Sequence, residues 1–209
     1  VAHTKEEALA FAADVRARAG RYGRGTNEIV FLPGLATVIG STETEARRRE
    51  EELWELLPLD FALARLAGTL GISADRLSLD KALPDDLPIP ANGMQTFSKA
   101  SIDTARREGL TVRQLLRKLG GSSGHRQFVG SAEQLADNIA DWFAAGAADG
   151  FNLMPDILPD GLEVFVDHVV PILQRKGLFR KEYEGSTLRD HFGLARPVNR
   201  FAASRLAAE

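Results

Sequence analysis

GGSSGHRQFVGSAEQLADNIADWFAAGAADGFNLMP, residues 120–155, is the stretch whose reading decides the fold. It begins as a Gly/Ser-rich loop carrying one histidine, His125, and continues into a capped helix, a turn and a short apolar run. Ser131 and Gln134 form an S-x-x-Q capping box, in which the hydroxyl accepts an orphan N–H and the amide side chain reaches back. Leu135, Ile139, Trp142, Phe143 and Gly146 then recur at helical spacing on one face. Asp149-Gly150 supplies a turn. Phe151-Asn152-Leu153-Met154 is short and apolar enough for a strand covered on both sides. A helix that feeds a buried strand through a few residues is an α/β connection, and His125 stands in the loop ahead of it.

Outward from that stretch, the amino-terminal side repeats the theme. Thr4-x-x-Glu7 is a second capping box, opening a helix whose Ala8, Phe11, Ala12, Val15 and Ala19 share a face, with Gly20, Gly23 and Gly25 to stop it. The β-branched run 28–40 is broken by Pro33-Gly34, and a proline without an N–H belongs at a strand end. Ser41 or Thr42 opens a charged helix whose apolar side is Leu53, Trp54 and Leu57. Its runs Arg47-Arg48-Arg49 and Glu50-Glu51-Glu52 read as a solvated face with i,i+4 pairing. From Pro58 to Gly124 the βα rhythm lapses into helices: one over 59–70 ended by Gly71, a polar one over 101–108, and one capped by Thr111-x-x-Gln114. A long excursion inside an α/β domain is a functional cover more often than not. Beyond the central stretch, Asp160-x-x-Glu163 opens a last helix that Pro171 should kink, and the tail after Gly177 has little periodicity.

The 209 residues, 44% apolar, carry 26 basic and 29 acidic side chains for a net charge of −3. With the signs interspersed, nothing points to nucleic acid or an anionic membrane as partner. No apolar run of about 18 residues suggests a membrane span. The absence of cysteine excludes disulfides, thiolate metal sites and a catalytic thiol. It fits the cytoplasm without fixing it, and no secretory signal follows Val1. Neither H-E-x-x-H nor a two-His-one-carboxylate spacing occurs, so no metal site is expected.

Strand-then-helix units beginning near residues 1, 29, 126 and 151 make an α/β fold. By periodicity alone they suit half of a (βα)8 TIM barrel, which typically takes about 250 residues, or an open doubly wound sheet. In a barrel, reacting groups lie on loops after strand ends, here 35–40, 121–130 and 154–160. His125 is the strongest candidate, because an imidazole exchanges protons near neutrality. His3, ahead of a cap, suits the start of a helix. His168 and His191 suit structural roles. Ser123 and Gly124 lie in a Gly/Ser loop whose N–H groups could cradle a phosphate, a weak signal. Met154, Pro155 and Asp156 could border a substrate pocket.

The run RQFVGSAEQLADNIADWFAAGAADGFNLMP, supported by VFLPGLATVIGSTETEA (30–46) and LRDHFGLARPVN (188–199), resembles the bacterial-luciferase-like flavin-dependent monooxygenases. The similarity is strongest to the branch of nitrilotriacetate, dibenzothiophene sulfone and long-chain alkane monooxygenases, and to their C-terminal half only. The resemblance implies the barrel. Residues 1–40 would hold the end of strand six, a helix and strand seven. Residues 41–130 would be a helical insertion or lid, 131–177 the last helix-strand-helix, and 178–209 a tail. On that reading His125 to Phe128 returns over the barrel mouth and is no strand. The resemblance also implies reduced FMN supplied by a separate NAD(P)H-dependent reductase and O2 as co-substrate. A C4a-peroxyflavin would oxygenate a small organic substrate, with His125 lining the pocket. The flavin phosphate would be held by a Ser-rich loop ahead of Val1. Alternatives are a non-catalytic half barrel, which would associate with itself or with an N-terminal half, and a related deazaflavin-dependent oxidoreductase.

Overall fold

Pro33 decides where the first strand starts. The chain is extended from residue 28, but proline cannot donate to a ladder, and β1 (Gly34–Gly40) begins immediately after it. The computed structural model describes residues 2–26, 28–88, 90–91, 95–120, 124–197 and 199. Two parallel partners flank β1, namely β2 (Arg126–Ser131) and β3 (Asn152–Pro155), giving a three-stranded sheet in the order β2-β1-β3. All five inner residues of β1, Leu35 to Ile39, are buried, as a central parallel strand covered on both faces requires.

Two expectations are corrected here. Residues 126–128 form the start of a strand and do not return over a mouth. Leu35 pairs with Arg126, Thr37 with Phe128 and Gly40 with Ser131. The reason is nonlocal, because β1 has a second row of N–H and C=O groups that must be paired once buried. Among the described residues, Ala2 and His3 belong to no strand, so no strand end is found there. The strands that the resemblance numbers seven and eight, β1 and β3, are parallel neighbours, with Gly34 opposite Asn152 and Thr37 opposite Pro155.

The helices start where the side chains can cap them. Thr4 and Ser131 form complete capping boxes with Glu7 and Gln134 at the heads of α1 (Lys5–Arg21) and α6 (Ala132–Ala144). Thr42 accepts the Glu45 N–H at the head of α2 (Glu43–Glu55). Leu35, Leu135 and Ala136 are fully buried, but Phe11 of α1 and Phe143 of α6 are 61% and 49% exposed. Both aromatics were expected on inward faces.

The excursion builds a core of its own from α3 (Leu59–Leu70), α4 (Gln95–Glu108) and α5 (Val112–Gly120). Leu66, Leu70, Ile102, Val112, Leu115 and Leu116 are buried together there. Gly71 ends α3 at φ 69°, a left-handed position where its missing Cβ matters. After β3, α7 (Asp160–Val164) passes into a π-helical turn, Phe165–Val169, before α8 (Val170–Arg175). The ring of Pro171 would clash with the carbonyl four residues back in a regular helix, and the wide turn just ahead of it relieves that clash. The chain divides into two compact units, residues 1–172 and 173–209. Within the second, α9 (Leu188–His191) is capped by Thr187 and Asp190, and Tyr183 stacks on His191 at 4.4 Å. Among the described residues, no helix is long and apolar enough to cross a membrane.

Candidate functional site

His125 precedes β2 and lies level with the first residue of β1. Its Nδ1, Cγ and Cε1 pack on the Cα of Gly34, where any side chain would collide with the ring. Phe97 from α4 meets the imidazole edge-on at 5.2 Å. Strand and aromatic together fix the ring plane, and Nε2 is left as the nitrogen away from the strand. Burial, with His3 adding, holds the imidazole pKa below its ordinary value, so His125 is neutral at pH 7. It therefore stands at the starting margin of the strands, about 20 Å from their far ends, and not at the C-terminal margin expected of a barrel mouth.

That pKa shift sets a pH dependence of stability. Between the lowered folded pKa and the unfolded value of about 6.5, the unfolded chain binds more protons, so stability falls as pH drops through that window. His125→Gln should flatten the fall in urea midpoint between about pH 7.5 and 5.5; an unchanged slope would remove His125 from the titration.

A cleft of about 590 Å³ runs beside β2 and is lined by His125, His3, Gln127 and Phe128 together with Arg117 and Lys118 of α5. His3 was expected only to start a helix. Its backbone N–H does donate to Glu7 at 2.8 Å. Its ring also reaches across the fold, with Nε2 2.9 Å from the Gly124 carbonyl and Nδ1 3.5 Å from the Thr104 hydroxyl. His3 thus ties α1 to the loop that carries His125. Next along, Arg126 turns into an aromatic box, its guanidinium 4.1 Å over Trp142 and bonded to Asn138 at 2.8 Å. Burial lowers its pKa to about 10, and it stays charged at neutral pH.

At the far margin Asp156 follows β3, its side chain 5% exposed and paired at 2.5 Å with Arg49 of α2. Its second oxygen accepts the Ile157 N–H at 2.9 Å. The basic and acidic runs of α2 are therefore only partly a solvated face. Arg47 and Arg48 do make i,i+4 pairs with Glu43 and Glu52. Arg49 turns inward to Asp156, and Glu51 pairs with Arg117. A second cavity, of about 170 Å³, lies between α2 and β1 and is lined by Ala36, Thr37, Val38, Leu53, Trp54, Leu57 and Asp156. Glu50, Arg117 and Gln127 line both spaces, so the inner cavity adjoins the outer cleft.

The predicted residues thus fall in two places. His125 lines the outer cleft and Asp156 the inner cavity, while Met154 and Pro155 are half-buried in β3, opposite Ala36 and Thr37. Ser123 lies outside the described residues. Gly124 is committed to protein: its carbonyl faces His3 Nε2, and a Cβ there would strike Phe97. His168 is exposed, and His191 stacks on Tyr183. Among the described residues, no group of three or more His, Asp or Glu could hold a metal ion. A phosphate-bearing cofactor finds no unpaired grip among these residues. Arg117 is paired with Glu51, Lys118 with Glu108 and Arg47 with Glu43.

Comparison with solved structures places this arrangement in a class. EDTA monooxygenase from Chelativorans sp. BNC1 superposes with a TM-score of 0.62 at 36% identity, over 92% of this chain and 45% of that one. A riboflavin lyase solved with modified FMN and riboflavin superposes with a TM-score of 0.72 at 26% identity, over 95% and 43%. The chain belongs to the bacterial-luciferase-like flavin-dependent monooxygenase family. Among curated relatives, nitrilotriacetate monooxygenase component A of Aminobacter aminovorans is 46% identical over 200 residues, 95% of this chain and 44% of the relative. Dibenzothiophene-sulfone monooxygenase of Rhodococcus erythropolis is 34% identical over 190 residues, 88% and 41%. The chain therefore spans a little under half the length of these relatives. No family model matches the chain.

Proposed function

We propose that the chain is the C-terminal part of a two-component monooxygenase that oxygenates a small organic substrate using O2 and reduced FMN delivered by a separate reductase. The observation that carries the reading is the neutral, oriented His125 in a cleft of about 590 Å³, within the usual span of small-molecule sites, on a chain 46% identical to nitrilotriacetate monooxygenase component A. Because these residues offer a phosphate no unpaired grip, the flavin is held by the remainder of the complete protein. What this chain contributes is a wall. Gly34 and Phe97 fix the imidazole, the helices of the excursion exclude water, and His125 Nε2 takes up or delivers a proton at a substrate-side oxygen. The test is reductase-coupled turnover of the complete protein under ¹⁸O2, with nitrilotriacetate and EDTA among the substrates offered. One labelled oxygen per product is expected, and product formed without reductase would overturn the assignment.

A second reading is favoured by the sheet. Both β2 and β3 keep an outer edge with no strand partner among the described residues, and open edges recruit partners. In this reading the 209-residue chain is a non-catalytic half that self-associates or awaits its complement. Light scattering separates the two: a monodisperse monomer at micromolar concentration would count against it.

A further inference from the structure

The inner cavity between α2 and β1 is more selective than its apolar wall alone would make it. Its volume of about 170 Å³ is near that of engineered apolar cavities, about 150 Å³, that bind benzene. Leu53, Trp54 and Leu57 of α2 face Ala36 and Val38 of β1, and the indole of Trp54 offers a flat surface. Thr37 also lines the cavity; it is 2% exposed, and its hydroxyl oxygen is buried with no hydrogen-bond partner. A buried hydroxyl left unpaired is unfavourable, and a ligand that pairs it recovers that loss. Gln127 adds an uncharged amide.

The charges nearby are not available to an anion. Asp156 is committed to Arg49 and to the Ile157 N–H, and Arg117 to Glu51. Glu50, on the boundary shared with the outer cleft, repels a carboxylate. A ligand that fits is therefore compact, neutral and ring-sized, with one oxygen placed to meet the Thr37 hydroxyl.

We propose that the cavity lined by Thr37, Trp54 and Gln127 binds a neutral single-ring group bearing one hydrogen-bonding oxygen, and that Thr37 selects for that oxygen. As an assignment of substrate class, with the ring as the end of the substrate that enters first, it rests on the oxygenase reading above. As a statement about binding it does not. The adjoining spaces meet at Gln127, so a molecule seated in the inner cavity extends past Gln127 into the cleft that His125 lines.

The test uses the 209-residue chain with phenol, toluene and benzoate as probes, followed by ligand-observed NMR. Phenol should bind in about the millimolar range expected of so small a molecule, with transfer from its ring protons to the Trp54 indole. Toluene, the same shape without the oxygen, should bind about tenfold more weakly, and benzoate should not bind. Thr37→Val, close in shape, should bring phenol to the level of toluene. Equal binding of phenol and toluene by the unmodified chain, or phenol binding without contact to Trp54, would overturn the proposal. Both readouts stand even where Thr37→Val fails to fold. Phenol binding beside an absence of ¹⁸O incorporation would leave this site intact and remove the oxygenase reading. The converse would remove the site alone.

Discussion

Gly40→Ala should destabilise the chain by about 3 kcal/mol, the upper end of what overpacking costs, and lower the melting temperature by roughly 6–12 °C for a chain of this size. A Cβ on Gly40 would sit 2.5 Å from the Ala46 nitrogen, 2.9 Å from the Thr42 carbonyl and 3.0 Å from the Ala46 Cα. These are backbone atoms of the cap and first turn of α2, so no rotamer change makes room. Either β1 shortens or α2 lifts off the sheet. Lifting α2 also pulls Arg49 from Asp156 and Trp54 from the inner cavity, so a local steric change becomes a change at the site. Gly20→Ala in α1 is the control of opposite sign. Nothing lies within 4 Å of the point its methyl would occupy, and replacing a helical glycine should stabilise by about 0.5–1 kcal/mol. Thermal melts of the two variants check both signs, and a Gly40→Ala chain as stable as its parent would refute the close contact between strand and helix.

His125→Ala in the complete protein should lower kcat by about 10²-fold, the lower end of the range for a positioned acid or base, with KM little changed. A residue that only lined the pocket would move KM instead. Gly34 supplies an independent route to the same loss, because a methyl there displaces the imidazole without removing it. Gly34→Ala should therefore reproduce most of the defect in the parent and add little in the His125→Ala background, the signature of two residues acting through one group. Unchanged kcat in His125→Ala would take the imidazole out of the chemistry whatever its geometry.

What was legible in the sequence was local. The capping boxes at Thr4 and Ser131, the glycine stop at Gly71 and the strand start after Pro33 depend on residues within a few positions of one another, and each stands where it was expected. The pairing of Arg126–Ser131 with β1 was not legible, since it depends on a strand placed far earlier in the chain. Nor was the inward turn of Arg49, whose partner Asp156 is 107 residues away, or the reach of His3 across 121 residues to Gly124. A run of three arginines looks alike whether all of them face water or one of them faces a buried carboxylate. Helical periodicity placed Phe11 and Phe143 inward because it records which residues share a face, not whether anything covers that face.

The claim on which the proposed function turns is that this chain forms one wall of a flavin pocket whose phosphate grip lies elsewhere in the complete protein. Titrating FMN against the 209-residue chain and against the complete protein, and following flavin fluorescence, tests it most directly. No saturable binding is expected from the chain alone up to about 100 μM, against binding near about 1 μM by the complete protein, a hundredfold or larger contrast. Micromolar binding of FMN by the chain alone would contradict the claim.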